Sequence, residues 1–301
     1  MFERYAARVA IVGPFSGPRA AWGRLLTGAI GLADRGVRWV LRDDRGDPCQ
    51  AQRRADEIVL DGGYSAVLGH FNSHGARAAL PRYRDAGIAC MLPLATQPGL
   101  TSLAGGLVLR WCCTDGAQAG TLLRALAAAG HASVDVVTDG TAQMEALAGE
   151  LLTAGVERVS VRALRRDRPP HKKAGAVVVV AAHHEAATMA RELRTRGFRG
   201  QLAFTDDCAV AEFAGLAGEA AAGALVTVQP GGAASRVNLA ITALAGALTA
   251  DPSLTGRRLV AAVRERAAAF TPAVAFTPAG EVASDGWTVR QLPEPAAPLA
   301  A

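Results

Sequence analysis

From Arg8 onward the chain alternates short apolar runs with amphipathic segments. Residues 8–12 read as a buried strand, followed by the turn-rich stretch Gly13-Pro14-Phe15-Ser16-Gly17-Pro18 and a predicted helix over 20–35. A strand is predicted at 37–43. Asp47-Pro48 then has the form of a helix start, Asp as N-cap and Pro at the first helical position. A third strand falls at 66–69, a helix at 74–85 and a fourth strand at 88–92. Strand, helix, strand in short cycles means βαβ units and a parallel sheet covered on both faces.

The pattern restarts after Cys113. Helices are predicted at 122–129, 144–154 and 185–196, the last closed by Gly197. Strands are predicted at 134–138, 158–164, 174–181, 202–205 and 224–228. The run Val177 to Val180 reads as a strand buried on both faces. Helices at 238–248 and 256–269 and short strands near Val274 and Trp287 complete the series, with a loose tail over 293–301. The fold class is therefore α/β, in two doubly wound parallel-sheet lobes.

Composition narrows the function. The chain has 301 residues, 50% hydrophobic and 20% charged, enough for two domains with cores of their own. No stretch of about 18 consecutive apolar residues occurs, so no membrane-spanning helix is expected. The formal charge of +5 rests on scattered arginines, with lysine only at 172 and 173, and aromatics make up 5%. A nucleic-acid surface gathers its charge on one face and interleaves aromatics, so no nucleic-acid partner is expected. Five cysteines without CxxC spacing argue against a disulfide scaffold and fit a reducing compartment.

Several blocks in register carry a resemblance: Val12 to Pro18 with Trp22-Gly23, Asp43-Asp44-Arg45-Gly46-Asp47-Pro48, Gly69-His70-Phe71-Asn72-Ser73, Ala86-Gly87-Ile88, Pro93-Leu94-Ala95-Thr96 and Glu219 to Thr227. In this order and spacing the chain resembles the leucine/isoleucine/valine-binding proteins, the type I solute-binding proteins of branched-chain amino-acid transporters. The resemblance runs from about Arg8 to Leu292. It implies two lobes joined by a three-crossover hinge and closing on a small ligand: 1–115 plus 231–271, and 116–230 plus 272–292.

The same resemblance implies a ligand grip. Ser73 and Thr96 match the hydroxyls that hold an α-carboxylate, and Ser73 opens a helix, where free amides favour an anion. From the residues alone, Ser73 reads as an N-cap and Thr96 as a loop residue. Asp206 matches the acidic partner of the ligand's ammonium, with Asp207 as a helix cap. Trp22, Phe71, Leu94 and Ala95, with Phe15 and Asn72 beside them, are implied to line the side-chain pocket. The family's tyrosine lid is replaced by Gln143 and His183, which puts branched-chain specificity in question and admits a polar amino acid or an amide. Family members with a disulfide at the positions of Gly46 and Asn72 have no counterpart here.

No enzyme activity is expected: neither GxSxG nor a GxxxxGK[ST] loop occurs, and Ser73 beside His70 or His74 lacks an oriented third member. No cofactor is implied. Metal binding is not expected at His183-His184-Glu185, since neighbours on a strand point to opposite sides. As the sequence stands, without signal segment or lipobox, a cytoplasmic location is expected, and an extracytoplasmic one if a leader has been removed. The expected function is non-catalytic binding of an amino acid or close analogue between the lobes, with a transporter permease as partner. The alternative is a cytoplasmic amide or amino-acid sensor acting through a regulatory protein.

Overall fold

The structure is a computed structural model that describes residues 7–28, 30, 36–284 and 286–293. The Met1-Phe2-Glu3-Arg4 start, the end of the helix expected over 20–35 and the tail beyond Pro293 lie outside the described residues. The chain forms two compact units, 1–114 with 230–285 and 115–229 with 286–301, and passes between them three times. The final passage falls after 285, not after 271. Residues 272–285 stay with the first unit because Val282 N donates to the Arg110 carbonyl and Arg264 donates to the carbonyls of Phe276 and Thr277.

In the first unit, strands β1 (Ala7–Gly13), β2 (Val37–Asp43), β3 (Ala66–Leu68), β4 (Ala89–Leu92) and β5 (Val108–Arg110) form a wholly parallel sheet in the order β2-β1-β3-β4-β5. Helices α2 (Pro48–Asp61) and α3 (Ser73–Asp85) cover one face, packing Ile58, Ala76, Leu80 and Tyr83 on Ala10, Val12 and Val67. Helix α1 (Ala20–Gly28) begins the other layer. The N-cap read from sequence is present, with Asp47 accepting from Gln50 N at 2.8 Å.

The second unit repeats the plan. Strands β6 (Ser133–Thr138), β7 (Ser160–Ala163), β8 (Ala176–Val180), β9 (Gln201–Phe204) and β10 (Leu225–Val228) are parallel, and β11 (Thr288–Gln291) adds to β10 antiparallel. The order β7-β6-β8-β9-β10 is that of the first sheet, strand for strand. On β8, Val178 and Val180 pack with α4 (Asp115–Ala128) and α5 (Ala142–Thr153). Val177 and Val179 pack with α6 (His183–Thr195) and α7 (Ala211–Ala217) on the opposite face. Burying each of these valines stabilises the unit by about 1.5–3 kcal/mol.

The C-terminal helices α8 (Ala233–Ala250) and α9 (Gly256–Ala268) belong to the first unit and pack on each other. By length and composition α8 could cross a membrane. Its buried residues, among them Val237, Ile241, Leu244 and Leu248, instead make it a core helix.

Candidate functional site

In a doubly wound sheet the loops diverge where strand order reverses, and ligands bind beyond the carboxyl ends of the strands there. In the first unit that point lies between β1 and β3, and the segments following β1, β3 and β4 carry Phe15, 69–73 and 93–97. Gly69 at φ +124° passes so close to β1 that a Cβ would sit 2.0 Å from the Val12 carbonyl oxygen, so glycine alone fits.

A buried polar chain fixes this corner. Asp44 Oδ2 lies 2.9 Å from His70 Nδ1, and His70 Nε2 lies 3.1 Å from the Tyr83 hydroxyl. A carboxylate only accepts, so His70 Nδ1 donates to Asp44. Burial, with Cys90, Asp44 and Asp56 nearby, pushes the Tyr83 hydroxyl well above its ordinary range. Asp43 accepts from Phe15 N (2.9 Å), Arg45 N (2.9 Å) and the Ser16 hydroxyl (2.5 Å). Burial pushes the Asp43 carboxyl up, but these hydrogen bonds together outweigh it and hold the group below the usual carboxylate range.

Ser73 is the first residue of α3, with Asn72 in the N-cap position. Its buried hydroxyl accepts from Gln97 N at 3.1 Å, which leaves its own proton to donate. The first intrahelical bond is Ala76 N to Asn72 O, so the amides of residues 73–75 precede the helical ladder. Ser73 and the 94–97 segment are thus joined directly, and Thr96 is half-buried. The backbone of that segment is held by Arg110, which is 1% exposed: Nη1 donates to the carbonyls of Thr96 (3.2 Å) and Gln97 (2.8 Å), and Nη2 pairs with Glu281. Sequence reading missed both β5 and Arg110.

Trp22 stacks on Phe71 with ring centroids 4.7 Å apart, and the Arg19 guanidinium lies 5.3 Å from the Phe71 ring centre. Arg19 also donates to Asn72 Oδ1, and Asn72 Nδ2 donates to Gly46 O at 2.6 Å. The Asn72 amide thus ties Arg19 to Gly46 across this corner. Leu94 and Ala95 are buried beside Thr96.

In the second unit, the ends of β6, β8 and β9 lead to Gln143, His183 and Asp206. Asp206 Oδ1 accepts from Gln118 Nε2 at 2.7 Å, and the same nitrogen donates to Thr227 Oγ1 at 2.7 Å. With both protons of that amide committed, the buried Gln118 Oε1 and the buried Thr205 Oγ1 lack a partner. Burial first, then the charges of Asp207 and Asp115, push the Asp206 carboxyl up to about 8 against the Gln118 hydrogen bond. Asp207 lies in the short 3-10 turn Asp206–Cys208 and is buried. Gln143 is half-buried on the first turn of α5. His183 is fully buried and opens α6, two residues earlier than the expected helix. His183 and His184 are thus on a helix, and the strand geometry expected to separate them does not apply.

Two parallel sheets of one strand order, each bearing polar groups at its carboxyl ends, define the class: the type I periplasmic-binding-protein fold. A leucine-binding protein from Thermotoga maritima matches at TM-score 0.81 and 19% identity over 95% of each chain. The branched-chain amino-acid binding protein of Streptococcus pneumoniae, in complex with isoleucine, matches at TM-score 0.77 and 16% identity over 95% of this chain and 99% of that one. By sequence the chain is a relative of the Leu/Ile/Val-binding proteins: 29% identical to that of Escherichia coli K12 and 30% to that of Citrobacter freundii, each over 73% of this chain. It is 28% identical to the leucine-specific-binding protein of Salmonella typhimurium over 82% of this chain and 73% of that one. The chain spans 66% of the length of the first two. No family model matches.

Proposed function

We propose that the chain is a non-catalytic receptor for an α-amino acid or close analogue, with a half-site on each unit. The carrying observation is the acceptor set of the second unit. A primary ammonium has three N–H donors, and Asp206, Gln118 Oε1 and Thr205 Oγ1 supply a raised carboxyl and two buried, unpartnered acceptors close together in the fold. On the first unit, the Ser73 hydroxyl, the α3 amides and Thr96 suit a carboxylate, and Trp22, Phe71 and Leu94 supply apolar surface. The relatives named for binding leucine, isoleucine and valine support this ligand class and a transporter permease as partner, and do not favour an amide sensor. Such a receptor acts outside the cytoplasm.

The test is a thermal-shift screen with the twenty amino acids and simple amides, followed by calorimetry on each hit. A ligand at about 100 times its Kd adds about 2.7 kcal/mol of stability. The expected result is a shift with one or a few α-amino acids that is lost in Asp206→Ala. A shift unchanged in that variant refutes the ammonium assignment.

A further inference from the structure

Two consecutive histidines of the second unit, His183 and His184, meet one carboxylate. His183 Nε2 lies 3.5 Å from Glu212 Oε2, and His184 Nε2 lies 3.5 Å from Glu212 Oε1. The three ligating atoms lie within 4.8 Å of one another. Separations of 3.5 Å exceed the usual N–H···O range of about 2.7–3.2 Å. Each is close to the edge of a tetrahedral zinc site, where bonds of about 2.0–2.1 Å put neighbouring ligands about 3.3 Å apart. The two end on different Glu212 oxygens, so gripping one ion through a single oxygen takes a small rotation of that half-exposed carboxylate. We propose that His183, His184 and Glu212 hold a divalent late first-row metal ion, zinc being the fitting chemistry, with a fourth position open to water or a small ligand.

The frame around these residues supports the assignment. The histidines are consecutive on the first turn of α6, and their rings lie 4.1 Å apart between centroids. Glu212 sits on α7, next to Phe213, which is fully buried and packs edge-on against Phe204 at 4.8 Å. Both supporting helices are anchored to the same hydrophobic core. His183 is fully buried, while the side chains of His184 and Glu212 are 42% and 41% exposed, so an ion has a way in. Two imidazoles and one carboxylate are a donor set that zinc takes in sites keeping an open position. The assignment does not depend on the amino-acid reading: it uses no residue of the Asp206 cluster.

The experiment is titration of the chelator-treated full chain with Zn2+ alone, followed by calorimetry and, in parallel, by the visible d–d absorption of Co2+. One equivalent of Zn2+ and a tetrahedral-type Co2+ spectrum are expected. His184→Ala and Glu212→Gln, both at half-exposed positions, should each weaken binding by more than about 100-fold, beyond the loss typical of an outer-sphere partner. His171→Ala, at an exposed histidine elsewhere in the unit, should change nothing. No binding of Zn2+, or binding that survives both substitutions, overturns the proposal. Amino-acid binding by the metal-free chain, read separately with Asp206→Ala, keeps failure of the metal site distinct from failure of the receptor reading.

Discussion

The two units share one strand order yet treat their polar groups in opposite ways. At the carboxyl ends of the first sheet, charged and polar side chains are tied to each other: Asp43 to the 15–16 amides, Asp44 to His70 and Tyr83, Asn72 to Gly46 and Arg19, Arg110 to Glu281 and two carbonyls. At the corresponding ends of the second sheet, the Asp206 carboxyl is raised by burial and then by the neighbouring Asp207 and Asp115, and two buried acceptors stand unpartnered. A satisfied network rigidifies, whereas an unsatisfied one costs stability until something completes it. The strand ends of the first unit are accordingly held by side-chain ties among their own residues. The second holds an electrostatic cost that a cation relieves. One topology thus carries two differently charged sets of groups at its strand ends.

The comparison breaks most sharply at Arg110. Arg110→Met keeps the aliphatic stem but strips Glu281 and the 96–97 carbonyls of their partner, and removing one member of a buried ion pair costs about 3–5 kcal/mol. The partial exposure of Glu281, 23%, places the expected loss at the lower end. Trp22, Trp39 and Trp111 lie in the first unit and Trp287 in the second. Denaturation followed by tryptophan fluorescence in a Trp287→Phe background therefore reads the first unit alone. A midpoint unchanged by Arg110→Met would show that the clamp is not what orders the 94–97 segment.

Next in size is Asp206. Asp206→Asn is expected to weaken amino-acid binding by about 2–5 kcal/mol, much of it the cost of a desolvated ammonium left without its counter-charge. The same variant should raise the melting temperature of the ligand-free protein at pH 8. The sign follows from the raised carboxyl: between the ordinary value of 3.8 and about 8 the folded chain keeps a proton that the unfolded chain has lost. Stability from this group is therefore full below the ordinary value and falls as pH rises through that window. Binding runs the other way. An ammonium selects the ionised form, so wild-type affinity should rise from pH 6 to pH 8 with proton release on binding, measured by calorimetry in buffers of different ionisation enthalpy. Asp206→Asn should abolish both the release and the stability slope. If the slope persists in that variant, the titrating group lies elsewhere.

What could be read in advance divides along the same physical line. Periodicity exposed nearly every strand and helix of both sheets, because Val177 to Val180 or the Asp47-Pro48 start carry local signals. It missed β5, which is only three residues long and ends in an arginine. A buried Arg110 makes sense only once Glu281, far along the chain, is seen beside it. Ser73, Thr96 and Asp206 were singled out only through register with known proteins, and the roles proposed for them are what the variants described here test. Gln118, Thr205 and Glu212 gave no such signal, since their roles depend on which loops the sheet order brings together. His183 and His184 were misread because their helix begins two residues earlier than its apolar pattern shows.

The smallest expected effect separates rigidity from ligand recognition in the first unit. Asn72→Ala removes the amide that joins Gly46 to Arg19 and should cost about 1–2 kcal/mol, the penalty for leaving buried hydrogen-bonding groups unmatched. Asn72→Asp loses the bond to the Gly46 carbonyl but keeps an acceptor for Arg19 and places a favoured anionic N-cap on α3. Its stability should stay within about 1 kcal/mol of wild type. Yet a new carboxylate beside Ser73 opposes a ligand carboxylate at the α3 N-terminus. Affinity should drop by about tenfold, an electrostatic effect of about 1.4 kcal/mol at roughly 10 Å or less in a partly screened site. Raising the salt concentration should recover part of that loss. An Asn72→Asp variant that bound amino acids as tightly as wild type would move the ligand's carboxylate away from α3, and with it the assignment of Ser73.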